Sequence, residues 1–179
     1  MTRKESFLKR VEKTNEMFNN ATNAEKRVMV AKDCIERIKL KMVTPATSRI
    51  LSIPYGEVDI NRDTINSVEC EVCAKGGLLT SFVGRVNNFN VDYFKIAGNS
   101  AKTPVHQKLS EIFTYKQLSL IELAFEGSQY LDFDNKNRRI NFSNDTFKRA
   151  IRFLTNFDAT ERLIKICENI IKNKGTFKP

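Results

Sequence analysis

The segment "NAEKRVMVAKDCIERIKLKM" constrains the fold most. Val28, Ala31, Ile35, Ile38 and Met42 recur every three or four residues, the spacing of a helix that buries one face. Thr22 or Asn23 stands where a cap belongs, and Pro45 lies just past the end. A stripe of this length needs other elements to cover it. Upstream, Phe7, Val11 and Phe18 predict a weaker amphipathic helix, a helical appendage over residues 1–20. The turn-rich "NNATN" separates the two.

The rest of the chain also reads as mostly helical. Ile65, Val68, Val72, Leu79, Phe82, Val83 and Val86 keep helical spacing, with Gly76 and Gly77 either breaking that helix or marking its start. "VHQKLSEIF" and "YKQLSLIELAFEG" read as two short helices, the second stopped by Gly127. Two more close the chain: one buries Phe147, Ile151 and Leu154, the other Leu163, Cys167, Ile170 and Ile171. Gly175 suits the last C-terminal cap. The β content is small. A short strand is expected near 48–54, a hairpin near 129–142 around "DNKN", and a loop with some extended structure over "NVDYFKIAGNSAKTP". The expectation is a mostly α, single compact helical domain over 1–179 with a small β element.

Hydrophobic residues are 41% and charged residues 28% of the 179, ordinary for a globular chain. Apolar runs are only a few residues long, too short to span a bilayer. The N-terminus is charged and has no apolar h-region, so it is not read as a secretory signal and a cytoplasmic protein is expected. Four cysteines are too few for a disulfide framework, and Cys34 and Cys167 fall inside helical stripes as small hydrophobes. The net charge of +9 is uneven. Residues 1–50 carry twelve Lys/Arg against six Asp/Glu, residues 51–130 seven against nine, and residues 131–179 eleven against six. Basic ends favour an anionic partner.

"VECEVCAKGGLLTSFVGRV" holds the densest chemistry, Cys70 and Cys73 three apart and then a glycine pair. A zinc site needs about four ligands, and one cysteine pair with the single histidine, His106, falls short; no metal and no cofactor are expected. A redox pair would need a βαβ setting, which the flanking pattern lacks. A nucleophile is a third reading: a helix starting near Cys73 would lower its thiol pKa, with His106 as base. His106, after Thr103-Pro104 at a helix start, also suits a plain surface position. The fourth reading is packing. Small residues at Cys73, Ala74, Gly76 and Gly77 allow close approach by another backbone, or by an anion on the helix N-terminus.

Lys26, Arg27, Arg37, Lys39 and Lys41 lie off the stripe of the long helix, and Lys148, Arg149 and Arg152 off that of the penultimate one, with Arg138 and Arg139 nearby in sequence. Acidic residues do not balance these clusters locally, so phosphate binding is a candidate role. The block "CAKGGLL" resembles the Cys-Ala-x-Gly-Ala-Leu core of small, uncharacterised proteins carried by bacteria, phages and prophages, with Gly77 where alanine is usual. The ending "ATERLIKICENIIKNKGTFKP" is similar to theirs, an Arg-Leu-Ile helix followed by Asn-x-Gly-x-Phe-x-Pro. The resemblance implies a mobile-element setting, in a bacterial host cell, and no activity. The expected function is a non-enzymatic phage-type accessory protein that binds a phosphate-bearing ligand, such as a nucleotide defence signal it would sequester. Its contacts would come from Arg138, Arg139, Lys148, Arg149, Arg152, Gly76 and Gly77. The alternatives are a general nucleic-acid binder, a cysteine-dependent enzyme using Cys73 and His106, and an inhibitor of a host protein. Homo-oligomerisation stays open.

Overall fold

A computed structural model describes residues 1–48, 50–53, 59–86, 88–92, 103–127 and 142–179. These residues are mostly α-helical with two small sheets. No described helix is long and apolar enough to cross a membrane.

The chain opens with α1 (Arg3–Lys13), α2 (Asn15–Asn20) and α3 (Asn23–Lys39). Thr2 and Thr22 start α1 and α3 with capping boxes closed by Glu5 and Glu25. Three short strands pair as β1 (Val43–Pro45), β4 (Cys70–Val72) and β2 (Leu51–Ser52) in that order, β4 parallel to β1 and antiparallel to β2. Strand β3 (Asp59–Ile60) pairs antiparallel with β5 (Val91–Asp92), and α4 (Arg62–Ser67) sits between β3 and β4. Next come α5 (Ala74–Val83), α6 (Pro104–Leu109), α7 (Tyr115–Glu126), α8 (Asn144–Asn156) and α9 (Ala159–Lys172).

All ten residues of α5 are buried. A helix without a polar face must be enclosed on all sides, and α5 packs on α3, α6 and α7 around it, with β1 and β4 at its start. Its hydroxyls are satisfied inside: Thr80 and Ser81 both donate to the Gly77 carbonyl at 2.9 Å. The main core runs from Phe18 on α2 to Phe177 near the C-terminus. A smaller cluster joins Phe7 and Val11 of α1 to Met42. The region 1–20 is therefore tied in at both places.

The helical spacing seen over Ile65–Val86 conceals a strand. Residues 70–72 form β4, and the helix starts only after Cys73, which occupies its N-cap without a side-chain cap bond. Val72 falls in the apolar pattern because it and Cys70 face the core, while Glu71 between them is exposed. The strand expected near 48–54 is β2, only Leu51–Ser52. The hairpin expected near 129–142, with Arg138 and Arg139, lies outside the described residues except for Phe142. Phe147, Ile151 and Leu154 are half-buried and only Ala150 of α8 is fully so, because α8 lies on the outside of α7.

The glycine pair does serve close approach. A Cβ on Gly76 would overlap the Ile50 carbonyl oxygen beside β2, and one on Gly77 would lie 2.9 Å from Leu163 Cδ2 and 3.1 Å from Cys34 Sγ. The first obstacle is backbone and the second is side-chain tips. Gly76→Ala should therefore cost about 3 kcal/mol or more of stability, and Gly77→Leu a similar amount, by overpacking. Gly77→Ala should stay mild. Urea denaturation of the three variants tests the ranking.

Candidate functional site

Two places bring chemistry together. The first is internal, where β4 hands over to α5. There Cys73 Sγ and carboxylate oxygens of Glu122 and Glu126 lie within 4.8 Å of one another. Lys75, one residue into α5, is 1% exposed and sets its ammonium 3.7 Å from Glu122 Oε2. Glu126, at the end of α7, accepts the Ser48 backbone N–H at 2.8 Å, which ties the turn after β1 to this point. His106 on α6 is also buried, its ring 4.9 Å from that of Tyr115. The sequence suggested a surface histidine; instead the ring is covered because α6 is pressed onto α5.

Burial dominates the electrostatics of this interior. Burial pushes the Cys73 thiol pKa up strongly, and the neighbouring Glu122 adds to the rise. A helix N-terminus does not yield a thiolate where carboxylates already face the sulfur. Cys70 is likewise pushed up to about 12 by burial. His106 falls to about 4 by burial and by the nearby Lys75 charge, so the imidazole is neutral near pH 7. The charged neighbours that act on the thiol are Glu122, Lys75 and Glu126. A protonated thiol beside a carboxylate pair is a poor nucleophile. Of the two carboxylates near Cys73, Glu122 already pairs with a cation, the Lys75 ammonium. The arrangement therefore reads as a polar plug that joins α5, α6 and α7.

The second place is open. Arg10 and Thr14 on α1 side, Lys32, Asp33, Glu36 and Lys39 on α3, and Arg85 after α5 line a groove of about 510 Å³. Its floor is fixed by Arg85, which donates from Nε to Asp33 Oδ2 and from Nη1 to Thr14 Oγ1, and lies over the Phe18 ring. Burial raises the Asp33 pKa, against the opposing pull of Arg85, Arg37 and Arg10. Lys39 pairs with Glu36 at 3.3 Å. Arg10 and Lys32 are exposed and have no salt bridge among the described residues.

The residues expected to bind a ligand do not converge. Gly76 and Gly77 face Ile50, Leu163 and Cys34, leaving no room there for an anion. Arg37 is 1% exposed; it donates to the Ile65 carbonyl and to Asn66 Oδ1, and burial pushes its pKa down to about 10. Arg27 bonds the carbonyls of Gly175 and Ile112. Lys148, Arg149 and Arg152 are exposed on α8 and make no ion pair with described residues. Arg138 and Arg139 lie outside the described residues. Lys75, Glu122, Asp33 and Arg85 were missed. Their one signal is a single charge inside or next to an apolar run. Comparison with family models, with curated proteins and with solved structures finds no match.

His106 gives a pH test. Its folded pKa of about 4 lies below the ordinary 6.5, so below pH 6.5 the unfolded chain binds a proton that the folded one refuses. This group's contribution is complete above pH 6.5 and is lost as pH falls toward 4. Glu126, raised by burial, acts in the opposite sense. The melting temperature of the parent should therefore fall more steeply between pH 6.5 and 4 than that of His106→Phe. Equal slopes would mean an exposed imidazole. Removing one partner of the Lys75–Glu122 pair, as in Lys75→Met, should cost about 3–5 kcal/mol, and Lys75→Met/Glu122→Gln should recover part of it. Thermal denaturation of the single and double variants reads this out.

Proposed function

We propose that the protein is a non-enzymatic binding protein for a phosphate-bearing anion, which it takes up in the groove between α1 and α3. One observation carries this reading. Four cations and two carboxylates line the groove, and the internal pairs use up both carboxylates, leaving Arg10 and Lys32 in surplus. Guanidinium and ammonium groups beside each other suit phosphate oxygens. The inert interior supports a binding role over a cysteine-dependent one. The likeness of two sequence blocks to phage and prophage proteins supports a mobile-element setting, in which a sequestered nucleotide signal is one such anion.

A second reading rests on α8. Lys148, Arg149 and Arg152 form an exposed basic face without ion pairs among the described residues, which favours general nucleic-acid binding there.

Charge reversal separates the two. Arg10→Glu/Lys32→Glu should lower affinity for small phosphate ligands tenfold or more, read by thermal shift across a nucleotide panel in low salt. It should leave the parent melting temperature nearly unchanged without ligand, because both residues are exposed. Arg149→Glu/Arg152→Glu should leave that binding intact. If α8 serves nucleic acid, the latter variant alone should lose a gel shift of DNA or RNA. No stabilisation of the parent by any phosphate compound in low salt would overturn the first reading.

A further inference from the structure

The cationic groove does not end at Lys32. Met29 and Lys32 also line a second, mainly apolar groove of about 810 Å³ on the same outer face of α3. Its floor is Val28 and Met29 of α3 with Ile171 of α9, and α2 contributes Met17 and Asn20 at its edge. Met17 is 66% exposed, an unusual position for a large apolar side chain in a chain this charged. Glu25 is also in the lining, but its carboxylate is turned to Thr22, accepting from both the backbone N–H and the hydroxyl at 2.8 and 2.7 Å.

We infer that the ligand of this composite groove is a purine nucleotide, its phosphates at Arg10 and Lys32 and its base on the Met17–Met29 shelf. This rests on the phosphate reading above and adds the class of ligand to it. Three features carry it. The two grooves adjoin at Met29 and Lys32, which line both, so one molecule with an anionic end and a flat apolar end can reach into each. Along α3, Val28 on the shelf and Lys32 at the phosphate end are four residues apart on one face, roughly 6 Å at the helical rise. That is a span for the ribose between base and phosphates. The shelf offers two thioethers, which make favourable contacts with aromatic rings. It also offers the Asn20 carboxamide, exposed and with no side-chain hydrogen bond to a described residue. A carboxamide pairs in two-pronged fashion with N6 and N7 of adenine. A simple acyl chain would use the apolar floor but have no need of Asn20.

Isothermal titration with ATP, CTP and inorganic tripolyphosphate tests the inference. ATP should bind about tenfold more tightly than tripolyphosphate, the gain expected of two thioether contacts with a ring. Met17→Glu should remove that advantage while weakening tripolyphosphate much less than ATP, and the tripolyphosphate binding that remains shows that the variant folds. Asn20→Ala should erase the preference for ATP over CTP. Equal affinities for ATP and tripolyphosphate, or an ATP advantage untouched by Met17→Glu, would overturn the purine inference and leave the phosphate reading standing. Failure of all three compounds to bind would overturn both.

Discussion

Everything in this chain is arranged around a helix that has no side to show to water. The ten residues of α5 are enclosed, and the enclosure begins where Gly76 meets the Ile50 carbonyl. Each later element answers that constraint. Helix α3 brings Cys34 against Gly77, α9 brings Leu163, and α6 and α7 close the remaining sides. The charged groups inside follow from it as well. Lys75 sits in the first turn of a helix that is buried all round, so its ammonium cannot reach solvent, and Glu122 on α7 answers it. Such a pair adds little net stability but penalises any other packing of α5.

The net charge of +9 overstates the basic surface. Four arginines act indoors. Arg27, Arg37 and Arg162 each hold backbone carbonyls, and Arg85 holds Asp33. Arg162 donates to Phe125, Leu154 and Phe157, so a single guanidinium satisfies the carbonyl ends of α7 and α8 together. The planar fork makes this possible, and lysine would not replace it. What is left outside includes the face of α8 and the groove on α3, with further exposed lysines along α1 and α9.

Local pattern told the helices apart well. The Thr22 cap and the stop at Gly127 are each decided within a few residues, and the structure has them where expected. The stripe of α3 is only partly so: Ala31 and Ile38 are buried, Val28 and Ile35 are half-buried because the inward face centres on Val30 and Cys34, and Met42 lies past the end of the helix. Close approach at the glycine pair could be read too, because small residues next to an apolar run have few other uses. Strand β4 could not. Its three residues are too short for a period, and pairing to β1 and β2 is decided by residues 19 to 27 positions away. The polar interior and the α3 groove were illegible for a similar reason. Arg37 and Lys39 look alike in sequence, yet Arg37 lies under α1 and α4 contacts while Lys39 is free of them. Which lysine or arginine points inward is settled by tertiary packing, not by spacing along one helix.

The C-terminal block is structural. Gly175 has φ +90, and a Cβ there would press on the Ala24 carbonyl; Phe177 is buried against Phe153; Asn169 holds both the N–H and the carbonyl of Lys178. Helix α3 packs most extensively on α9, its partner from the far end of the chain. During synthesis, then, the ribosome releases α3 long before its cover exists. The side of α3 that α9 covers must wait, exposed or held by a chaperone, until α9 has been made. A message cut ahead of α9 would leave the core open along the α3–α9 seam, and quality control would meet an unfinished fold.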